Sequence, residues 1–174
     1  MKITIITPLW RPENLAWVAQ SIPQGFRWIV VFGYSIPRKG LPENGEYYAI
    51  ATNGGLEKRN LGIDIVKDGH ICFLDDDTIL HPDFSNLLNM SADYDFIHFN
   101  QIFPNGKKRI GGVVKRNHID VGNFVVSRQI VGDIRMIRGP WQNADGRFAE
   151  KCFSRAKKPI YLNKNLSIYN ALKK

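Results

Sequence analysis

Apolar positions along this chain come in short β-branched blocks that alternate with amphipathic stretches. "KITIIT" (2–7) is a brief apolar run that ends at Pro8, the pattern of a buried strand. "RPENLAWVAQSI" follows, with Pro12 suited to a first helical position and Leu15, Val18 and Ala19 at helical spacing. "FRWIVVFGY" (26–34) and "EYYAIAT" (46–52) predict two more strands, separated by the loop "GYSIPRKGLPENG". A helix is expected over Gly55–Lys67 with Asn53 as its cap, then strands at "HICFLD" (70–75) and "YDFIHFN" (94–100). Strand alternating with helix in this way predicts an α/β domain with a mostly parallel central sheet flanked by helices.

After Asn100 the pattern changes. "NGKKRIGGVVKRN" (105–117) predicts a glycine-rich hairpin or a mobile loop, and "VGNFVVS" (121–127) a further strand. Phe148, Cys152, Phe153 and Ala156 form a helical stripe within 143–158, and "PIYLN" (159–163) suggests a short closing strand. No linker marks a boundary. The expectation is one domain, 1–174, with two functional halves, 1–100 and 101–174.

At 174 residues with 44% hydrophobic content, the chain can build one real core. No stretch reaches the roughly 18 apolar residues of a membrane span. The start reads as a strand rather than a signal peptide, so a cytoplasmic protein is expected. Cys72 and Cys152 lie in apolar patterns and are expected as buried free thiols. The four histidines lack zinc-ligand spacing. Charge is uneven: residues 1–106 carry eight Lys/Arg against twelve Asp/Glu, and residues 107–174 carry sixteen against four. A basic half joined to an acidic one points to an anionic partner.

The sharpest chemical feature is "FLDDDTIL", where Asp75, Asp76 and Asp77 follow an apolar strand. Two carboxylates about 4 Å apart repel by roughly 4 kcal/mol at an effective dielectric near 20, so such a run needs solvent, a proton or a cation. Ligands of open parallel sheets bind outside the carboxyl ends of the strands, where these residues fall. Alternation along an extended chain lets Asp75 and Asp77 face one ligand while Asp76 faces elsewhere. Hard cations such as Mg²⁺ or Mn²⁺ bind one or two carboxylates and complete their shell with water or phosphate oxygens. A solvated turn is the alternative. On the preceding helix, Arg59 falls on the apolar face with Leu56, Ile63 and Val66. A cation there requires an anion, either a bound phosphate or a carboxylate such as Asp75. Asn60, at the edge of that stripe, faces a choice between ligand and backbone.

"ITIITPLWRPENL", "GGLEKRNLGIDIVKDGHICFLDDDTILHPDF" and "NADGRFAEKCF" together resemble the GT-A-fold glycosyltransferases, in particular their large inverting family. The likeness covers about residues 2–90 well and 120–170 loosely, and is most specific from Gly55 to Pro82. It implies a GT-A-like, Rossmann-like fold that moves a sugar, with inversion, from a nucleoside diphosphate sugar to a hydroxyl of a glycan, glycoprotein or glycolipid. The first half would bind the nucleotide sugar and the second the acceptor. Thr7, Pro8 and Arg11 would line the nucleotide pocket and Arg59, with Asn60 beside it, would meet the diphosphate or nucleotide. Asp75 and Asp76 would contact the donor, and Asp77 with Asp75 would hold Mn²⁺ or Mg²⁺. Asp145 would be the general base, with Asp120 as the fallback. Two departures stand out: "VVFGYSIP" lacks the acid that commonly follows the second strand, and the last histidine is His118, so no histidine near the C-terminus is present for a metal.

The basic second half would bind the acceptor or close over the diphosphate, and "GKKRIGG" reads as a flexible lid, since its glycines permit movement and its cations would meet phosphates, the alternative being a solvated hairpin. Trp10 and Trp141 could stack on a sugar or base, or belong to the core. Two competing readings remain. A haloacid dehalogenase-type phosphatase would use Asp75 as its nucleophile, but its motif normally follows the first strand. A basic nucleic-acid-binding domain would rest on the positive half alone, without a recognised module, so no nucleic acid is expected.

Overall fold

The computed structural model describes residues 2–138 and 143–172. Its centre is β1 (Ile3–Pro8), buried at all six positions because strands cover both of its edges and side chains cover both of its faces. β2 (Arg27–Gly33) pairs with β1 in parallel, β3 (Glu46–Ile50) pairs with β2, and β4 (His70–Phe73) flanks β1 on the other side. Being buried on both faces explains why these blocks read as continuous apolar runs.

Beyond β4 the sheet is mixed. β8 (Phe124–Ser127) lies antiparallel between β4 and β6 (Phe96–Ile102), while β9 (Pro159–Ile168) runs parallel to β6 and carries the short β5 (Ile79–Leu80). The full order is β3-β2-β1-β4-β8-β6-β9-β5, with β7 (Lys108–Ile110) on β6. The mostly parallel arrangement expected from the alternation thus describes β3, β2, β1 and β4; the later strands mix directions. β9 is ten residues long, twice the length read from "PIYLN", because its pairing with β6 continues through irregular register to Ile102. The 105–117 hairpin is real in its first strand: β7 folds back antiparallel on β6 around Gly106, whose φ of 79° suits a residue without Cβ.

Alternation along the strands builds two cores. Ile6, Ile29, Val31, Ile71 and Phe73 face α2 (Gly55–Ile65) and α5 (Ala144–Arg155), with Phe148 edge-on to Phe73 at 5.9 Å. Ile3, Ile5, Trp28, Val30 and Cys72 face α1 (Leu15–Ser21) and the segment around Phe84, and two single-turn helices, α3 (Leu87–Met90) and α4 (Arg128–Val131), fall between α2 and α5 along the chain. α2 lies close on β1: a Cβ at Gly62 would stand 2.3 Å from Ile6 Cγ2. Asn53 does not cap α2. The N-cap position is Gly54, with no side-chain bond, and the Asn53 carbonyl instead accepts from Trp10 Nε1 at 3.1 Å. Both cysteines are buried free thiols. Among the described residues no helix is long and apolar enough to cross a membrane.

Candidate functional site

The carboxyl ends of β1 and β4 and the first turn of α2 meet at one edge of the sheet. Arg59, 8% exposed, donates from Nη2 to Asp75 Oδ1 at 2.5 Å. Of the two anions open to Arg59 from sequence, the structure supplies the carboxylate. Burial works against the Arg59 charge, but Asp75, Asp145 and Asp120 outweigh it and hold its pKa above the ordinary value. Its Nε has no hydrogen-bond partner among the described residues.

β4 ends at Phe73 and the aspartates lie in the turn beyond it, so the strand alternation expected for them does not hold and other contacts set the position of Asp76. It is fully buried, and its Oδ2 accepts from the backbone N–H of Trp10 (2.5 Å) and of Arg11 (2.6 Å). Arg11 Nη1 donates to its Oδ1 at 2.7 Å, and Asn14 Nδ2 to its carbonyl at 2.9 Å. Its oxygens are engaged in pinning the segment after β1. Thr7 is likewise engaged within the fold. Period-two alternation puts it with Ile5 on the α1 side, where its hydroxyl accepts from Trp28 Nε1 at 3.0 Å. Pro8 closes β1 and is buried. Asn60 chooses backbone over ligand: it donates to the Met136 carbonyl (2.8 Å) and accepts from the Met136 N–H (2.9 Å). This ties the chain leading to α5 onto α2.

Arg11 reaches a second carboxylate, with Nη1 3.1 Å from Asp77 Oδ2. Burial and the neighbouring Asp75 push the Asp77 pKa up, while Arg11 pulls it down; the net direction is upward.

The second half of the chain joins here through topology. Because β8 is antiparallel to β4, with His70 opposite Ser127 and Cys72 opposite Val125, the residues before β8 return to the aspartate end of β4. Asp120 stands there as the N-cap of a capping box: its Oδ1 accepts from Gly122 N–H at 3.0 Å and its N–H donates to Asn123 Oδ1 at 3.0 Å. Its Oδ2 accepts from Arg109 Nη1 at 3.0 Å. Asp145, in the first turn of α5, interacts electrostatically with Arg59, Asp120, Asp75 and Arg109. Burial is the main cause of its raised pKa, which reaches about 6; Asp120 and Asp75 add to it, and Arg59 and Arg109 oppose it. Asp75, Asp120 and Asp145 thus converge around Arg59, although 70 residues separate the first from the last.

Two participants went unnoticed in the sequence. Lys58 is 1% exposed; its Nζ donates to the Leu9 carbonyl at 2.5 Å and lies 4.6 Å from the centroid of Trp10. Gly62 was the available signal, because a mid-helix glycine marks close approach and Lys58 lies one turn earlier on the same side. Arg109 comes from the β7 hairpin, also donates to Gln101 Oε1, and stacks 3.6 Å from the Tyr169 centroid. No periodic pattern distinguishes it from its basic neighbours. Trp10 is 44% exposed and leans on Gly55 and Lys58, which leaves part of its ring open. Trp141 lies outside the described residues.

The donor set can be tested for a divalent cation. No cluster of three or more His, Cys, Asp or Glu suited to a metal occurs among the described residues. Asp75 and Asp77 each already face an arginine, Arg59 and Arg11 respectively, so a divalent cation there would have to draw most of its oxygen ligands from outside the chain. A cavity of about 180 Å³ lies apart from these carboxylates, lined by Arg116, Arg135, Ile137, Arg147, Phe148 and Lys151 among others.

No protein-family model and no curated protein matches the chain. Solved structures do. Staphylococcus aureus TarS 1-349, a glycosyltransferase, matches with a TM-score of 0.70 at 17% identity over 97% of this chain and 60% of its own. Its complex with UDP matches at 0.76 and 16% identity, over 97% and 60%. Its complex with UDP-GlcNAc matches at 0.71 and 17% identity, over 97% and 58%. A197 from STIV matches more distantly, at 0.52 and 13% identity over 94% of this chain and 82% of that one. The chain thus spans about 60% of the TarS 1-349 length and 36% of the longer TarS chain. At such identities the likeness is one of fold: a single mixed α/β, GT-A-like domain.

Proposed function

We propose that this chain is a nucleotide-sugar glycosyltransferase that moves a sugar from a nucleoside diphosphate sugar to an acceptor hydroxyl by a single inverting displacement. The observation that carries the reading is the meeting of Asp145 with Asp75 and Asp120 around the buried Arg59, at the carboxyl ends of the strands. The GT-A-like fold, shared with structures that hold UDP and UDP-GlcNAc, supports a nucleotide sugar as donor.

In this reading Asp145 is the general base. A carboxylate with a pKa of about 6 is ionised at neutral pH yet more basic than an ordinary one, which favours proton transfer from a hydroxyl. Asp120 suits the role less well because Gly122 N–H and Arg109 already engage its two oxygens. As the acceptor oxygen bonds to the anomeric carbon, the bond from that carbon to the diphosphate breaks and the proton passes to Asp145. Arg59 and Arg11 offer cationic partners for the diphosphate. Mn²⁺ or Mg²⁺ on Asp77 and Asp75 would neutralise charge on the departing diphosphate. Trp10 offers an open aromatic face to the donor. The basic residues of the second half would receive the glycan, glycoprotein or glycolipid acceptor.

The phosphatase alternative is disfavoured by position: its nucleophile normally follows the first strand, whereas β1, β2 and β3 all precede Asp75. The test is a thermal-shift screen of nucleoside diphosphate sugars with Mn²⁺. A ligand at 100 times its Kd stabilises by about 2.7 kcal/mol, which is a shift of several degrees for a domain of this size. A shift with UDP-GlcNAc or another nucleotide sugar, and none with nucleoside alone, is expected. No shift with any donor across the series would overturn the reading.

A further inference from the structure

The outer side of α5 carries positive charge that the fold does not use. Two cavities, of about 180 and 500 Å³, adjoin there and share Arg135, Ile137 and Lys151 in their linings. Arg116, Arg147 and Glu150 also line the smaller one, and Asp133 and Arg155 the larger. Three of the cations are matched. Arg116 donates from its N–H and Nε to Glu150 at 2.9 and 2.8 Å, Arg135 from Nη2 to Asp64 at 2.5 Å, and Arg155 from Nη1 to Asp133 at 2.8 Å. Among the described residues, which include every Asp and Glu of the chain, Arg147 and Lys151 pair with none.

Arg147 and Lys151 stand four residues apart, so their side chains are neighbours on the helix, and like charges at that spacing repel. The fold gains nothing from the pair, whereas an anion shared between them would relieve it. The opposite wall is held close. A Cβ at Gly146 would stand 2.8 Å from Arg116 Cα, so the segment carrying Arg116 lies directly against α5. Ile137, 56% exposed, lines both cavities and puts an apolar contact beside the cations. Charge and apolar surface together suit an oxyanion carried on a carbon framework.

Building on the transferase reading above, we propose that this groove holds the acceptor through oxyanions, phosphate or carboxylate, on units remote from the hydroxyl that reacts. The helix that lines the groove also carries the proposed base. At about 100° per residue, Arg147 and Lys151 lie roughly 200° and 240° round α5 from Asp145. Groove and base are thus on opposite sides of a cylinder about 10–12 Å across. One sugar unit cannot touch both; an acceptor of several units can reach from one to the other. The groove therefore tightens binding of a long anionic acceptor and leaves the chemical step alone.

Isothermal titration calorimetry at low salt tests this without turnover, with oligogalacturonate as the carboxylate probe, inorganic tripolyphosphate as the phosphate probe and a neutral maltooligosaccharide. Binding of either anion, but not of the neutral sugar, is expected and names the oxyanion. Arg147→Gln combined with Lys151→Gln is expected to weaken that binding about tenfold. Arg38→Gln combined with Lys39→Gln removes the same charge from the exposed loop after β2 and is expected to leave the affinity as in wild type. None of these four side chains is buried, so both variants keep the fold. The proposal is overturned if neither anion binds, if the neutral sugar binds as well as they do, or if both double variants weaken binding equally. Tighter binding of an oligothymidylate through Arg147 and Lys151 overturns it too, in favour of a nucleic-acid site. The UDP-GlcNAc thermal shift is read on the same proteins. A shift without anion binding leaves the transferase standing and removes only the groove; anion binding without any donor shift removes the acceptor assignment together with the donor reading.

Discussion

Asp145→Asn removes the ionisation of the proposed base while nearly preserving its shape. In the native chain the carboxyl keeps its proton up to about pH 6, against an ordinary value of 3.8. Between those values the folded chain binds more protons than the unfolded one, so stability falls as pH rises through the window. Above it, the native state carries an ionised carboxylate whose burial outweighs the help of Arg59. One pKa unit is worth about 1.4 kcal/mol, so the full deficit is about 3 kcal/mol. Asparagine carries no charge and escapes it. The variant is therefore expected to match wild type near pH 4 and to exceed it by up to about 3 kcal/mol above pH 7. Urea denaturation at a series of pH values measures this as a gap in midpoint that opens between pH 4 and 6. Transfer to acceptor is expected to fall by two or more orders of magnitude, about what loss of a general base costs, with the nucleotide-dependent thermal shift retained. A midpoint gap that is constant with pH, or a variant less stable at pH 8 than at pH 4 relative to wild type, would refute the argument. Retained transfer would remove Asp145 from the base role.

Arg59→Met keeps most of the buried stem but strips Asp75 of its partner; because Asp75 is partly exposed, the loss is expected at the lower end for a broken buried pair, about 3 kcal/mol. The same variant should lose the nucleotide-dependent thermal shift, and a full shift would show that Arg59 is purely structural. Gly62→Ala is expected to cost about 1–3 kcal/mol in denaturant unfolding, since the new methyl would stand 2.3 Å from Ile6 Cγ2 on the central strand; an unchanged midpoint would mean that α2 can lift from β1 freely.

Much of this site was legible along the chain. The apolar blocks located the strands, but the alternation expected for the three aspartates did not hold, because β4 ends at Phe73 and they lie in the turn that follows, where Arg11 meets both Asp76 and Asp77. The helical wheel put Arg59 on the buried face of α2, where its anion proved to be Asp75. Those are local matters: strand and helix periodicities decide which way a side chain points, and burying a charge demands a partner. What periodicity cannot encode is which distant segment arrives beside it. The antiparallel insertion of β8 between β4 and β6 returns Asp120 to the aspartate end, and α5, packed through Phe148 on Phe73, brings Asp145 there as well. Arg109 and Lys58 became site residues only when a hairpin crossing and a helix lying close on β1 removed them from solvent. The chain by itself determined an α/β domain with a charged strand end. Only the tertiary structure decided which carboxylates share Arg59 and which oxygens are already taken, because both depend on strand order, and strand order is set by the joint burial of both sheet faces rather than by any one segment.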